Sequence, residues 1–403
     1  VLSVEDAARR VLATAHLLPA ETVPLAQAVG RVLRQPVAAD RDFPPYNRVT
    51  MDGIALLFSA LRTGQTLFPI ERTQLAGAAP TPLENPQAAI EIMTGAALPP
   101  GTDTIIRYED LDFSDSPSRQ AAVRVAPPRA GHNVHAQGSD QPAGAQLLAP
   151  GRVLSPAEIA VAATVGAATL AVARRPRLAV VSTGDEIVDI EATPLPHQIR
   201  RSNGPMLSAA LALAGCDSQE FHLPDDLASL KKELPALLAD FDEVLLSGGV
   251  SKGQADFLPQ ALREVGVAEI FHRVAQRPGQ PFWFGQVSGG AVVFALPGNP
   301  VATFANYYRY VQPWLRQCQG LPAEASQPLF AELADSVEFK PALTYFLAVR
   351  LEPTTDGRLL AHPAPTAGSG DLAGLLAADG LLELAAGQTQ FAAGSTWPVW
   401  RFR

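Results

Sequence analysis

Three short stretches of this chain place glycine, hydroxyl and carboxylate side chains directly after apolar runs. They are Ser182-Thr-Gly-Asp-Glu186, Ser247-Gly-Gly-Val-Ser251 continuing to Asp256, and Leu296-Pro-Gly-Asn-Pro300. Glycines let backbone N–H groups come close to a phosphate, and serine hydroxyls add donors. Asn299 then Pro300 reads as an N-cap followed by proline at the first helical position, so that helix end is free to face an anion. Carboxylates beside such loops (Asp185, Glu186, Asp256) are hard oxygen ligands of the kind Mg²⁺ takes together with substrate phosphate. Asp52 and Asp140 are further acids, in or beside a turn-rich region upstream. Taken singly, each acid is more often a turn residue or a helix cap, and a glycine loop can be a tight turn without a ligand. The recurrence of such loops after successive strands is what points to a phosphorylated ligand.

Other chemistries find less support. His132 and His135 have no third His or Cys nearby and no HExxH, so they read as a loop histidine pair. The absence of GxSxG, GxGxxG and Walker A patterns removes serine hydrolase, dinucleotide-binding and P-loop readings. Tyr307, Tyr308, Tyr310, Phe304 and Trp314 fall on one helical segment and suit core or subunit-interface packing better than a stacking platform. Cys216 and Cys318 stand far apart without CxxC spacing, which excludes a disulfide framework and suggests buried thiols in a reducing compartment. With 31 Lys and Arg against 40 Asp and Glu, the formal charge of −9 gives no footprint for nucleic acid and none for an anionic membrane. Val1–Asp6 lacks the basic and apolar segments of a signal peptide, and the uncharged run Ile159–Ala173 falls short of the ~20 residues a membrane helix needs. A cytoplasmic protein is expected.

The elements that must position these loops follow from periodicity. At 47% hydrophobic residues the chain of 403 can bury several cores, and at ~100–200 residues per domain it predicts two to four domains. Residues 3–17 have helical spacing with Ser3 as N-cap, and Arg31–Ala39 reads as a strand. From about 50 to 140, short strands (Gly53–Leu57, Ala89–Met93, Thr104–Tyr108, Ala121–Ala126) without helical periodicity predict a β-rich domain. Gly166 ends a helix before a strand at Thr169–Ala173. Beyond Pro176, strands at Arg177–Ser182, Phe241–Leu246 and Ala291–Leu296 alternate with helices at Asn203–Ala214, Asp256–Val265 and Pro300–Gln317. That alternation predicts a doubly wound, mostly parallel α/β sheet, whose ligands bind at the carboxyl ends of strands. After Leu321 short strands return (Tyr345–Leu351, Gly380–Leu384, Thr396–Arg401), a small C-terminal β domain.

At these loops the chain resembles the molybdopterin molybdenumtransferases, the MoeA family that includes the gephyrin E domain. Phe43–Gly53 is similar to the family's PPFDxSAMDGYA segment and Ile92–Asp103 to its IMTGAPLPxGAD segment. Arg175-Pro176, the three loops above and Arg277-Pro-Gly279 follow in the family's order. The resemblance implies a homodimer of elongated, four-domain subunits of α/β plus β class. Residues 1–40 with 142–174 would form a discontinuous linker and dimerisation domain, 41–141 an inserted β-rich domain, 175–320 the α/β molybdopterin-binding domain and 321–403 the C-terminal β domain. It implies a cleft shared between subunits, adenylylated molybdopterin and molybdate as substrates, Mg²⁺, and handover of substrate from the adenylyltransferase. It also assigns positions. Asp52, Glu186 and Asp256 match metal and acid–base residues. Thr94, Asp140, Ser247, Gly248, Gly249, Ser251, Arg277, Gln280 and Asn299 fall at substrate-lining positions, and Pro297, Arg350 and Ser369 at positions associated with molybdate.

The departures from the pattern are equally specific. Where the family's KPGKP element offers two lysines, this chain has Arg277 and Gln280, which keeps one charge in altered geometry and loses the other. Gln254 replaces an acid of the second loop, Val49 replaces a serine, and Lys252 is a candidate to restore charge. The resemblance therefore implies a transferase, with a weakly catalytic paralogue that binds or carries the cofactor as the alternative.

Overall fold

The computed structural model describes residues 1–115, 118–250, 257–322 and 327–403. They fall into two compact units, one of residues 1–34, 150–155 and 170–403, the other of residues 35–149 and 156–169. Among the described residues no helix is long and apolar enough to cross a membrane.

The first unit is organised by a six-stranded sheet. Its strand order is Asp217–Leu223, Arg177–Thr183, Glu243–Ser247, Val292–Leu296, Trp283–Gln286, Ala268–His272. The first four run parallel, Trp283–Gln286 joins them antiparallel, and Ala268–His272 pairs antiparallel with it. Successive side chains of a strand face opposite sides. Leu178 and Val180 accordingly enter one core, with helices Val4–Leu12 and Asn203–Leu213, and Ala179 and Val181 enter another, with helices Leu227–Asp240 and Leu258–Glu264. Covering on both faces is why the parallel strands are nearly continuous apolar runs. The register sets Ser182 opposite Ser247 and Ser247 opposite Leu296, so three strand ends stop level with one another.

Ser3 Oγ accepts from the Asp6 N–H at 3.1 Å and starts the N-terminal helix as expected. That helix ends at Leu12, well before residue 17, after burying Val4, Ala7, Ala8 and Val11. Each fully buried valine is worth about 1.5–3 kcal/mol. The expected helix Pro300–Gln317 runs to Cys318 but changes to π geometry over Tyr307–Val311. Tyr307, Tyr310 and Trp314 on it are fully buried, which makes this aromatic set core packing.

The same unit carries the C-terminal strands. Thr344–Pro353, Leu359–Pro363, Leu329–Leu333, Thr396–Arg401 and Gly380–Leu384 pair in that order, and the last returns to the first. The ring leaves no free edge, so this is a small barrel. Gln276–Arg277 adds to it in parallel alongside Thr344–Tyr345.

In the second unit a six-stranded sheet has the order Thr104–Arg107, Gly53–Leu56, Ala89–Ile92, Leu67–Gln74, Gln120–Val123, Leu111–Ser114. Its core holds Ile54, Leu56, Phe68 and Ile106. A short helix at Phe58–Arg62 interrupts a stretch expected to lack helix. Its first N–H, that of Phe58, is capped from a distance by Asp103 Oδ1 at 2.7 Å, a partner no local pattern reveals. The expected strand Arg31–Ala39 breaks into bridges at Val32 and Leu33 and a two-residue strand at Val37–Ala38. Pro36 between them has no N–H to give to a ladder. Helix Pro156–Thr164 stops before Gly166, whose φ is +72°. The overall class is mixed α/β, with a mostly parallel sheet, a second curled sheet and a C-terminal barrel.

Candidate functional site

Strand Arg177–Thr183 delivers Gly184 and Glu186, Glu243–Ser247 delivers Gly248 and Gly249, and Val292–Leu296 delivers Pro297 and Asn299. The Asn203 amide ties two of these ends together. Its Nδ2 donates to Ser247 Oγ at 2.7 Å and to the Gly298 carbonyl at 2.8 Å. Gly248 has φ +108°, and a Cβ there would lie 2.6 Å from the Thr183 carbonyl oxygen. Only glycine fits where two backbones approach so closely.

These residues line a cavity of about 750 Å³ together with Thr183, Asp225, Arg200 and Arg201. Thr183 Oγ1 and Asn203 Oδ1 are buried in its wall and have no partner among the described residues. Orphaned buried polar atoms are costly unless a ligand, ion or water completes them. Arg201 is already compensated, 3.3 Å from Asp189 and 3.7 Å from Glu220. Carboxylates (Glu186, Asp225), a hydroxyl and an amide oxygen make a donor set suited to a hard cation beside phosphate.

A second cavity, about 700 Å³, shares Pro281, Pro297 and Asn299 with the first. Its other walls come from the Arg277–Gln280 loop and the C-terminal barrel, including Lys340, Tyr345 and Ser369. Asn299 occupies the N-cap position of the helix beginning at Pro300, but its side chain caps nothing. It turns instead to Ser369, Nδ2 donating to Oγ at 3.0 Å, while the Val301 N–H donates to the Ser369 carbonyl at 3.1 Å. Arg277 has no hydrogen bond or ion pair among the described residues, and Lys340 is an exposed cation 3.4 Å from Glu338. Arg350 is on neither wall; its guanidinium donates to Glu352 at 2.9 Å.

In the second unit Asp52 and Thr94 meet directly, the Thr94 N–H donating to Asp52 Oδ1 at 2.6 Å. That bond, with the Thr94 hydroxyl, holds the Asp52 carboxyl below its usual range. Asp140 accepts from His135 Nε2 at 2.8 Å, and His135 Nδ1 accepts from Arg48 at 3.0 Å. A guanidinium can only donate, so the imidazole carries its proton on Nε2. The antiparallel pairing of Arg48 with His135 creates this chain, in which His135 is an organised link rather than a free loop residue. Ser251, Lys252, Gln254 and Asp256 lie outside the described residues. Among the described residues no group of three His, Cys, Asp or Glu stands close enough to hold a metal ion by itself.

Sequence reasoning missed Asn203 and Asp225. Asn203 opens a helix whose start follows a long loop, and Asp225 follows a strand, Asp217–Leu223, too polar to be read as one. Cys216 and Cys318 are free and buried, and burial pushes the Cys318 thiol up to about 12.

Comparison with known proteins matches three regions of the chain. Residues 2–166 match the MoeA N-terminal region (domain I and II), 179–317 the probable molybdopterin binding domain, and 331–402 the MoeA C-terminal region (domain IV). A molybdopterin molybdenumtransferase of Synechocystis is 35% identical over 373 residues, 92% of each chain. Another from Synechococcus elongatus is 34% identical over 98% of each chain. The solved structure of a molybdopterin biosynthesis MoeA protein from Pyrococcus horikosii superposes with a TM-score of 0.84 at 28% identity, covering 100% of this chain and 99% of its own. Agreement of loops, fold and full-length relatives leads to one conclusion: the chain belongs to the MoeA family, the molybdopterin molybdenumtransferases.

Proposed function

We propose that this protein completes molybdenum cofactor by hydrolysing adenylylated molybdopterin and inserting molybdate into its dithiolene. Water adds across the phosphoanhydride, and AMP leaves as the pterin phosphate is freed. The observation that carries this reading is the junction at Pro297 and Asn299, where a glycine-and-carboxylate cavity opens beside one lined by Arg277 and Lys340. The first suits a phosphoanhydride, its Ser247–Gly249 backbone and Asn203 amide orienting the phosphates. The second suits an oxyanion, which needs fixed donors and cations.

Glu186, Asp225 and the Thr183 hydroxyl, which has no partner among the described residues, are the groups that would hold Mg²⁺. When bound, Mg²⁺ would neutralise charge at the broken anhydride. Glu186, Asp52 and Asp256 are the acid–base candidates, Thr94 and Asp140 substrate contacts, and Pro297, Ser369 and Arg350 the molybdate set. Arg350 would have to leave Glu352 to serve there. The working form is a cytoplasmic homodimer of four-domain subunits, with the acids of the β-rich domain completing the partner's cleft and substrate handed over by the adenylyltransferase.

Gln280 on the cavity wall favours a second reading, a carrier that binds the cofactor and turns over weakly. Single-turnover AMP release from adenylylated molybdopterin, with Mg²⁺ and molybdate each supplied or withheld, separates them. Release requiring both supports the transferase; tight binding without release supports the carrier.

A further inference from the structure

The helix from Pro300 to Cys318 departs from α geometry as it passes the Arg277–Gln280 loop. Its π turn, Tyr307–Val311, directly follows Asn306 and contains Tyr310. Such turns are rare and recur near functional sites. Behind the loop Gln276, Asn306 and Tyr310 are each 0–1% exposed. The Tyr310 hydroxyl donates to Gln276 Oε1 at 2.5 Å. Gln276 Nε2 then donates to Asn306 Oδ1 at 2.8 Å and to the Pro278 carbonyl at 3.0 Å. Asn306 Nδ2 reaches the Gly279 carbonyl at 3.4 Å. The chain of bonds therefore ends on two consecutive backbone carbonyls of the loop.

The fit is tight as well as polar. Gly279 has φ +91°, and a Cβ on it would lie 2.8 Å from Gln276 Nε2 and 2.9 Å from the Asn306 amide. Buried polar networks fix one arrangement when every member is satisfied, because any alternative strands a polar group in a low-dielectric interior. On the far side of the same loop Arg277 faces the second cavity, with no hydrogen bond or ion pair among the described residues. An unpaired guanidinium gains affinity for an anion when its backbone cannot drift, since less freedom is lost on binding.

We infer that Gln276, Asn306 and Tyr310 are positioning residues, a buried hydrogen-bond clamp that holds the Pro278–Gly279 backbone so that Arg277 presents its guanidinium to a substrate oxyanion. The inference rests on the proposed reading of the second cavity as an anion site. It extends that reading by locating the control of Arg277 in the core of the α/β domain, on the helix that follows Asn299.

A double-mutant cycle tests it, with molybdate titrated calorimetrically into the full-length protein. Arg277→Ala should weaken binding by about tenfold or more, the scale of a charged hydrogen bond. Tyr310→Phe keeps the ring and removes one hydroxyl, and should weaken binding by about three- to tenfold. In the Arg277→Ala background the same change should have no further effect. Asn306→Ala, which leaves the Gln276–Pro278 bond in place, gives an independent cycle if Tyr310→Phe does not fold. An equal loss from Tyr310→Phe in both backgrounds would show that the hydroxyl serves the core and not Arg277, and would overturn the inference. Binding indifferent to Arg277→Ala would instead sink the anion reading itself and the clamp's role with it.

Discussion

The two adjoining cavities share Pro281, Pro297 and Asn299 yet are built from different materials. The first is made at the carboxyl ends of parallel strands, from backbone, hydroxyls and carboxylates. The second is made where a loop, a helix start and a separate barrel meet, and its charge comes from Arg277 and Lys340. Strand ends in an α/β sheet offer converging N–H groups without side-chain cost, so a phosphate site there needs mainly glycine. An oxyanion pocket between elements has no such backbone supply and depends on side chains held by their neighbours. The contrast predicts that the first cavity is sensitive to single atoms and the second to the support behind its cations.

The sharpest way to break the comparison is Glu186→Gln. If proton and metal chemistry belong to the first cavity, AMP release falls by ~10²–10⁴-fold while molybdate affinity in the second is unchanged. Equal losses in both assays would mean that the cavities form one undivided site. Gly248→Ala comes next. The positive φ and the close Thr183 carbonyl should cost about 1–3 kcal/mol, read as a lower Tm and weaker binding of the adenylylated substrate. An unchanged Tm would show that the loop has room the structure denies it.

Gln280→Lys sharpens the contrast from the other side. Restoring a cation to the second cavity should tighten molybdate binding by about tenfold, with steeper salt dependence. No gain would mean that this pocket has been rebuilt around glutamine.

The smallest effect belongs to the sealed end of the strand whose other end carries Ser247. Glu243 is fully buried, both carboxylate oxygens lack a partner among the described residues, and burial, assisted by the Asp242 charge, holds its pKa well above 4.5. Above about pH 4.5 the unfolded chain releases this proton while the folded protein keeps it, so the folded state binds more protons and loses stability as pH rises. Glu243→Gln has no proton to lose, and its stability relative to the parent should therefore climb from pH 5 to pH 8 in urea melts. A difference independent of pH would refute a neutral, buried Glu243.

Legibility followed the same division. The three loops of the first cavity stood out because strands inside a parallel sheet are continuous apolar runs, and the glycine-rich ends that follow them break the pattern abruptly. The edge strand Asp217–Leu223 has no such run; it is exposed through Asp217, Ser218 and Gln219, so neither it nor Asp225 beyond it could be found by pattern. Helix Leu227–Asp240 escaped for a related reason, since Pro235 interrupts its periodicity. The π turn at Tyr307–Val311 has no sequence signature at all.

The amino-acid sequence by itself determined the class of fold, the glycine loops, the start of the N-terminal helix at Ser3 and the family to which the chain belongs. Each of these depends on local backbone preference or on the spacing of apolar residues, which neighbours along the chain encode. Only the tertiary structure decided that Asn203 joins Ser247 to Gly298, that Asn299 turns from capping its helix to meet Ser369, and that Arg350 pairs with Glu352. It likewise decided that Tyr310 reaches Gln276. These contacts join residues whose meeting depends on strand register and on the packing of a barrel against a sheet. A buried polar group takes whichever partner that packing brings within hydrogen-bond reach.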